Sequence, residues 1–162
     1  MRPALNTLYT ASGVLACLFL IAIALLTLLS VAARMFNLEI YSLDEFTGWS
    51  MAASTFLGLA STLRRNEHIR VSLLLERLSP GHRKFAELAC LIVATAFMCL
   101  FAWQAVSGAA TSYEFEEVTQ GMVPVPLWIP QSGMAIGAVI MFVALADDLI
   151  GAMAGKKASY QQ

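Results

Sequence analysis

Charge is the scarcest feature of this chain. Only 13% of its 162 residues are Asp, Glu, Lys or Arg, against about 25% in an ordinary soluble domain. Four tracts contain none of them: Pro3–Ala33, Phe46–Leu63, Leu88–Tyr113 and Val118–Ala146. That shortage argues against a water-soluble fold. Histidine is nearly absent too. His68 and His82 both fall outside the apolar tracts, so no axial ligand is available for a haem held inside a helix bundle. Cys17, Cys90 and Cys99 lie within the tracts without CxxC-type spacing. Buried free cysteines of this kind act as small hydrophobes, and neither a disulfide nor a zinc site is indicated. GxSxG, HExxH and Walker patterns are missing, so neither enzyme activity nor a cofactor is expected. Nothing points to a nucleic-acid partner.

What is present is apolar and continuous. Hydrophobic residues make up 59% of the chain and the mean hydropathy is +0.71. About 20 apolar residues cross a hydrocarbon core roughly 30 Å thick. The tracts do not alternate in polarity, which argues against a membrane β-barrel. The expected fold is an all-α integral membrane protein, a single membrane domain over residues 1–162. Four spans are predicted near 11–33, 46–63, 85–112 and 126–148. The first is much longer than the roughly 7–15-residue apolar core of a signal peptide, so it is read as an uncleaved span. The second is short. Its helix is expected to extend into Asp44 and Glu45 at one end and Arg64 and Arg65 at the other, which suits the helix dipole.

Basic residues set the orientation. Arg2, then Arg64, Arg65, Arg70, Arg77, Arg83 and Lys84, then Lys156 and Lys157, share one side of a four-span layout. Only Arg34 lies on the other side. Positive loops stay cytoplasmic, so both termini are expected inside. The middle loop also holds Val71, Leu74, Leu75 and Leu78 at helical spacing, with Ser72, Glu76 and Arg77 opposite. This predicts a short amphipathic helix over about 69–78 lying at the cytoplasmic interface, with a cytoplasmic helix packed on a partner as the alternative. Arg64, Arg65, His68, Arg70, Arg83 and Lys84 are the candidate anchors there. At the outer boundary Tyr41, Phe46, Trp49, Tyr113, Phe115 and Trp128 read as an aromatic belt, with Trp49 and Trp128 as anchors. Trp103 lies deeper and reads as packing.

Polarity inside the spans is slight. Gln104 is read as bridging two helices or, less simply, lining a path. Gln131, just after Pro130, is expected to satisfy local backbone. Asp147 and Asp148 end the fourth span against the helix dipole and are expected to pair with Arg64, Arg65, Arg83 or Lys84. Small residues recur at Ser50, Ser54, Gly58 and Thr62, and again at Gly133 and Gly137. Such stripes let helices approach closely in lipid. They could pack within the chain or against a larger subunit. Transporters build sites from broken helices and polar groups near the midplane. This chain has no midplane charge, and its spans and outer loops hold proline only at Pro124, Pro126 and Pro130. The reading is a compact, mostly inert scaffold.

The stretch "ARMF" closing the first helix, "LDEF" opening the second, and "FLGLASTLRRNEHIRVSLLLERL" after it resemble the small membrane subunit of tripartite ATP-independent periplasmic (TRAP) transporters, the DctQ-like family. "VPLWIPQSGMAIG" resembles the start of that family's last helix. Two positions depart from the pattern. Ser72 stands where an acid is common, so any ion pair made by that acid is missing or replaced. Ser79 stands before Pro80 where an apolar residue is usual. The resemblance implies a scaffold subunit of an importer of organic acids driven by an ion gradient, typically sodium. It also implies a large membrane transport subunit, a periplasmic substrate-binding protein and membrane lipids as partners, in a bacterial inner membrane. Glu114, Glu116 and Glu117 are candidates for docking the capture protein. The competing readings are a self-sufficient small transporter and a membrane anchor for a redox complex.

Overall fold

The structure is a computed structural model. It describes residues 2–64 and 80–153, with side chains over 5–63 and 85–153. These residues form four helices: α1 (Arg2–Met35), α2 (Leu43–Arg64), α3 (Pro80–Glu114) and α4 (Trp128–Met153). The interfacial helix expected over 69–78 lies outside the described residues.

Each helix forms for the reason read from its tract, but most run past the predicted bounds. α1 begins at Arg2 and α3 at Pro80, where proline is tolerated because a first-turn amide needs no partner. α1 stops at Met35 through a Schellman turn. Leu38 N–H donates to Ala33 O at 2.9 Å, Asn37 N–H donates to Arg34 O at 3.3 Å, and Asn37 takes the left-handed φ of 52° that this cap needs. α3 ends the same way. Glu117 N–H reaches Ser112 O at 3.0 Å, Glu116 N–H reaches Tyr113 O at 3.3 Å, and Glu116 has φ 50°. α2 starts with Asp44 and Glu45 in its first turn, complementing the positive end of the dipole.

Three helices are long and apolar enough to cross a membrane: α1 over Leu5–Met35, α3 over Phe85–Glu114 and α4 over Trp128–Met153. The expected fourth span is a helix, α2, yet it is not among the three. Its 22 residues reach about 33 Å at 1.5 Å each, so length is sufficient. Its composition is the reason it falls short, because Ser, Thr, Gly and Ala occupy positions that Leu and Ile fill in α1.

The helices stand in a row rather than in a closed bundle, in the order α1, α2, α4, α3. α2 packs on α1 on one side and on α4 on the other, α3 packs on α4, and α1 barely meets α4. Phe56 of α2 also stacks on Phe101 of α3, with ring centroids 5.4 Å apart. The two outer helices bury only 6% of their apolar windows, whereas α4 buries 44%. The core is therefore a seam of small groups around α2. Tyr9, Ala16, Leu57, Ala60 and Ala144 meet there.

The α1–α2 and α3–α4 loops are held by specific contacts. Val118 and Pro126 form an isolated antiparallel bridge. It is fastened by Thr119 N–H to Val125 O at 2.9 Å and Leu127 N–H to Glu117 O at 2.8 Å. Val123 N–H donates to Ser42 Oγ at 3.3 Å, joining the α3–α4 loop to the α1–α2 loop.

Candidate partner interface

Among the described residues, no three His, Cys, Asp or Glu side chains come together as a metal site would require. What the chain offers instead is surface, and the small-residue stripes explain which surfaces are already used. On the α1 side, Ser54 Oγ donates to Ala16 O at 3.0 Å and the missing Cβ of Gly58 faces Ala16 Cβ at 3.7 Å. Gly13, which the sequence reading did not single out, faces Ser61 Cβ at 3.0 Å. On the α4 side, Gly133 faces Ala53 Cβ at 3.0 Å, and Gly137 lies against the backbone of Phe56 and Leu57. Ser50 is buried and donates to Phe46 O at 2.8 Å, while Thr62 donates to Leu59 O at 2.9 Å. Serine and threonine hydroxyls in helices close on their own preceding turn in this way, which lets them enter an apolar environment.

The end formed by the close of α1 and α3 and the start of α2 and α4 gathers rings and acids. Trp49 meets Phe46 edge-on at 4.9 Å, and Trp128 meets Tyr113 edge-on at 5.7 Å. Phe115 and Tyr41 are exposed. A cavity of about 400 Å³ lies between the ends of α1 and α2, lined in part by Arg34, Glu39, Tyr41 and Asp44. Arg34 pairs with Asp44 at 3.4 Å, and both are well exposed, so the pair is a weak, screened contact. Tyr41 O–H donates to Glu39 Oε2 at 2.8 Å. That bond to a carboxylate holds the phenol above its ordinary range, with desolvation adding to it. Glu114, Glu116 and Glu117 are all exposed at this end, and Glu117 Oε2 accepts from Ser112 Oγ at 2.7 Å. The carboxyl of Glu45 rests on Gly121, a contact between α2 and the α3–α4 loop that nothing in the sequence pattern signalled.

At the opposite end, Asp148 is buried on the α4 face that also carries Gly137 and Ala144. Arg64, Arg83 and Lys84 belong to α2 and α3 by backbone, and their side chains lie outside the described ones. Arg65, His68 and Arg70 lie outside the described residues altogether.

Three expectations about the spans change. Gln104 bridges no pair of helices among this chain's described residues. It is exposed on α3 and makes no hydrogen bond among the described residues. Trp103 does not pack inside, being 72% exposed. Gln131 Oε1 is buried without a hydrogen-bond partner, so it does not satisfy local backbone. The first two change because the row architecture leaves a whole side of α3 uncovered.

Long apolar helices packed through small-residue faces define an integral membrane protein of the all-helical class. The chain matches the family model described as "Tripartite ATP-independent periplasmic transporters, DctQ component" over residues 23–155. It belongs to that family, in agreement with the resemblance read from the α1–α2 and α4 motifs. The family comprises transporter components, not enzymes. No curated protein matches the chain.

Proposed function

We propose that this chain is the structural small subunit of a TRAP importer for organic acids, driven by an ion gradient, sodium being the typical coupling ion. The observation that carries the reading is the family match over residues 23–155. The architecture supports it. A row of helices whose flanks expose large apolar side chains on α1 and α3 suits a bracing layer. Binding of a carboxylate and a coupling ion calls for convergent polar groups at mid-bilayer depth. The chain lies in the inner membrane with both termini cytoplasmic, since the basic residues other than Arg34 then all face inward. α2 crosses as a fourth span, screened from lipid by its neighbours, which is how a weakly apolar helix tolerates the bilayer. The large transport subunit binds substrate and ions. The periplasmic capture protein docks on the outer end, where Glu114, Glu116 and Glu117 are exposed.

Purification in mild detergent tests the reading. The expected result is that a large multispan membrane protein stays attached, and that uptake in proteoliposomes needs both chains together with the periplasmic protein. A solitary stable homodimer, or uptake by this chain alone, overturns it. Labelling of single cysteines at the termini and in the α3–α4 loop checks the orientation.

A further inference from the structure

We propose that the uncovered side of α3, centred on Gln104, is the seam on which a transmembrane helix of the large subunit docks, and that this helix hydrogen-bonds the Gln104 amide. The inference rests on the reading of the chain as a small transporter subunit and says which face does the work.

The argument begins with depth. Tyr113 and Trp128 pack together at the outer boundary, where such rings prefer to sit. Gln104 lies nine residues deeper on the same helix, about 13 Å at 1.5 Å per residue. The centre of a hydrocarbon core about 30 Å thick is about 15 Å down. A glutamine side chain is too short to reach water from there. An amide facing lipid with no partner forfeits the hydrogen bonds it makes in water, and its burial in hydrocarbon is unfavourable. Gln104 has no partner among the described residues and is exposed. A second protein surface that supplies a donor and an acceptor removes the penalty.

The surroundings of Gln104 have the form of a helix seam. Val93, Phe97, Leu100, Gln104, Ser107 and Thr111 follow one another at alternating steps of four and three, the spacing of a coiled-coil contact line. Val93, Phe97 and Leu100 are 68%, 70% and 67% exposed. Gly108, one turn beyond Gln104, has nothing within 4 Å of where a Cβ would stand. It leaves a notch for close helix approach. One polar residue on such a line fixes register and partner. The opposite flank of the row differs. On α1 the exposed side chains from Val14 to Val31 are overwhelmingly aliphatic, and Thr27 closes on Ile23 O at 2.8 Å. α1 is finished for lipid, and α3 is not.

The test uses the assembled transporter, with a photocrosslinking phenylalanine analogue placed singly at Phe97 or Leu100 on α3, and at Ile21 or Leu25 on α1. The α3 positions are expected to form adducts with the large subunit and the α1 positions with lipid alone. Gln104→Leu is expected to lower the large subunit retained in mild detergent by about three- to tenfold, while Thr27→Val changes nothing. Crosslinks from α1 instead of α3, adducts of α3 with a second copy of this chain, or lipid-only adducts from α3 in an intact complex each overturn the proposal. If the wild-type chain retains no large subunit, the broader reading fails, and this one with it. If the complex is intact but α3 is bare, only the seam is wrong.

Discussion

The Cβ that Gly137 lacks would stand 2.5 Å from the carbonyl carbon of Phe56 and 2.7 Å from the amide nitrogen of Leu57. α4 therefore touches the backbone of α2 directly, not through side chains. Nothing at that contact can rotate away, so an added methyl must push the helices apart. Gly137→Ala is expected to destabilise the fold by about 1–3 kcal/mol, the usual range for overpacking. Gly48 and Gly151 have nothing within 4 Å of a Cβ. Alanine there is expected to be neutral or slightly stabilising, by up to about 1 kcal/mol. Equilibrium unfolding in mixed micelles compares the three.

Ser54 makes the buried inter-helix hydrogen bond to Ala16 O. Ser54→Ala removes the donor and leaves a carbonyl that already serves its own helix, so the expected loss is modest, about 0.5–1.5 kcal/mol. Thr55, next in sequence, is exposed and bonds its own turn at Met51 O. Thr55→Ala is expected to change stability by less than about 0.5 kcal/mol. The same unfolding measurement separates them.

Glu45 and Gly121 are coupled. A methyl at Gly121 would collide with the Glu45 carboxyl, the far end of a flexible side chain. Gly121→Ala is expected to cost stability when Glu45 is present and much less beside Glu45→Ala. A double-mutant cycle should return a coupling of about 0.5–1.5 kcal/mol. Strict additivity would show that the loop does not rest on this side chain.

Glu116 occupies the left-handed position of the α3 cap with φ 50°, a conformation that costs an ordinary L-residue about 1–2 kcal/mol. Glycine takes it without that cost but gives the unfolded chain more freedom. Glu116→Gly is expected to raise stability by a net amount of about 0.5–1 kcal/mol. Asn37→Gly is expected to gain less, because asparagine already tolerates this region. Thermal midpoints in detergent order the two.

The Tyr41 phenol should ionise above its ordinary value of 10.0, because it donates to Glu39. The folded value is the higher one, so whatever this bond contributes is present below pH 10 and is lost as pH rises through the raised value. Ultraviolet titration of phenolate absorbance should show one tyrosine titrating late, and Glu39→Ala should bring it back toward the others.

Hydropathy is a property of a segment, and so the helices were legible in the sequence. The spans expected over 11–33 and 85–112 lie within α1 and α3, and the one expected over 126–148 becomes α4 from Trp128 onward, because an apolar stretch in lipid must satisfy its backbone internally. The close packing of Gly133 and Gly137 was foreshadowed by their spacing, but their partners were not. Caps at Asn37 and Glu116 went unread, since neither is the glycine that usually marks such a turn.

From the amino-acid order alone came the class of protein, the stretches that become helices, and the residues small enough to sit between them. The tertiary structure alone decided that α2 and α4 stand inside the row while α1 and α3 flank it, and that Gln104 looks away from its own chain. Neighbours far apart in sequence are chosen by shape complementarity across helices, a pairwise property that no single tract contains.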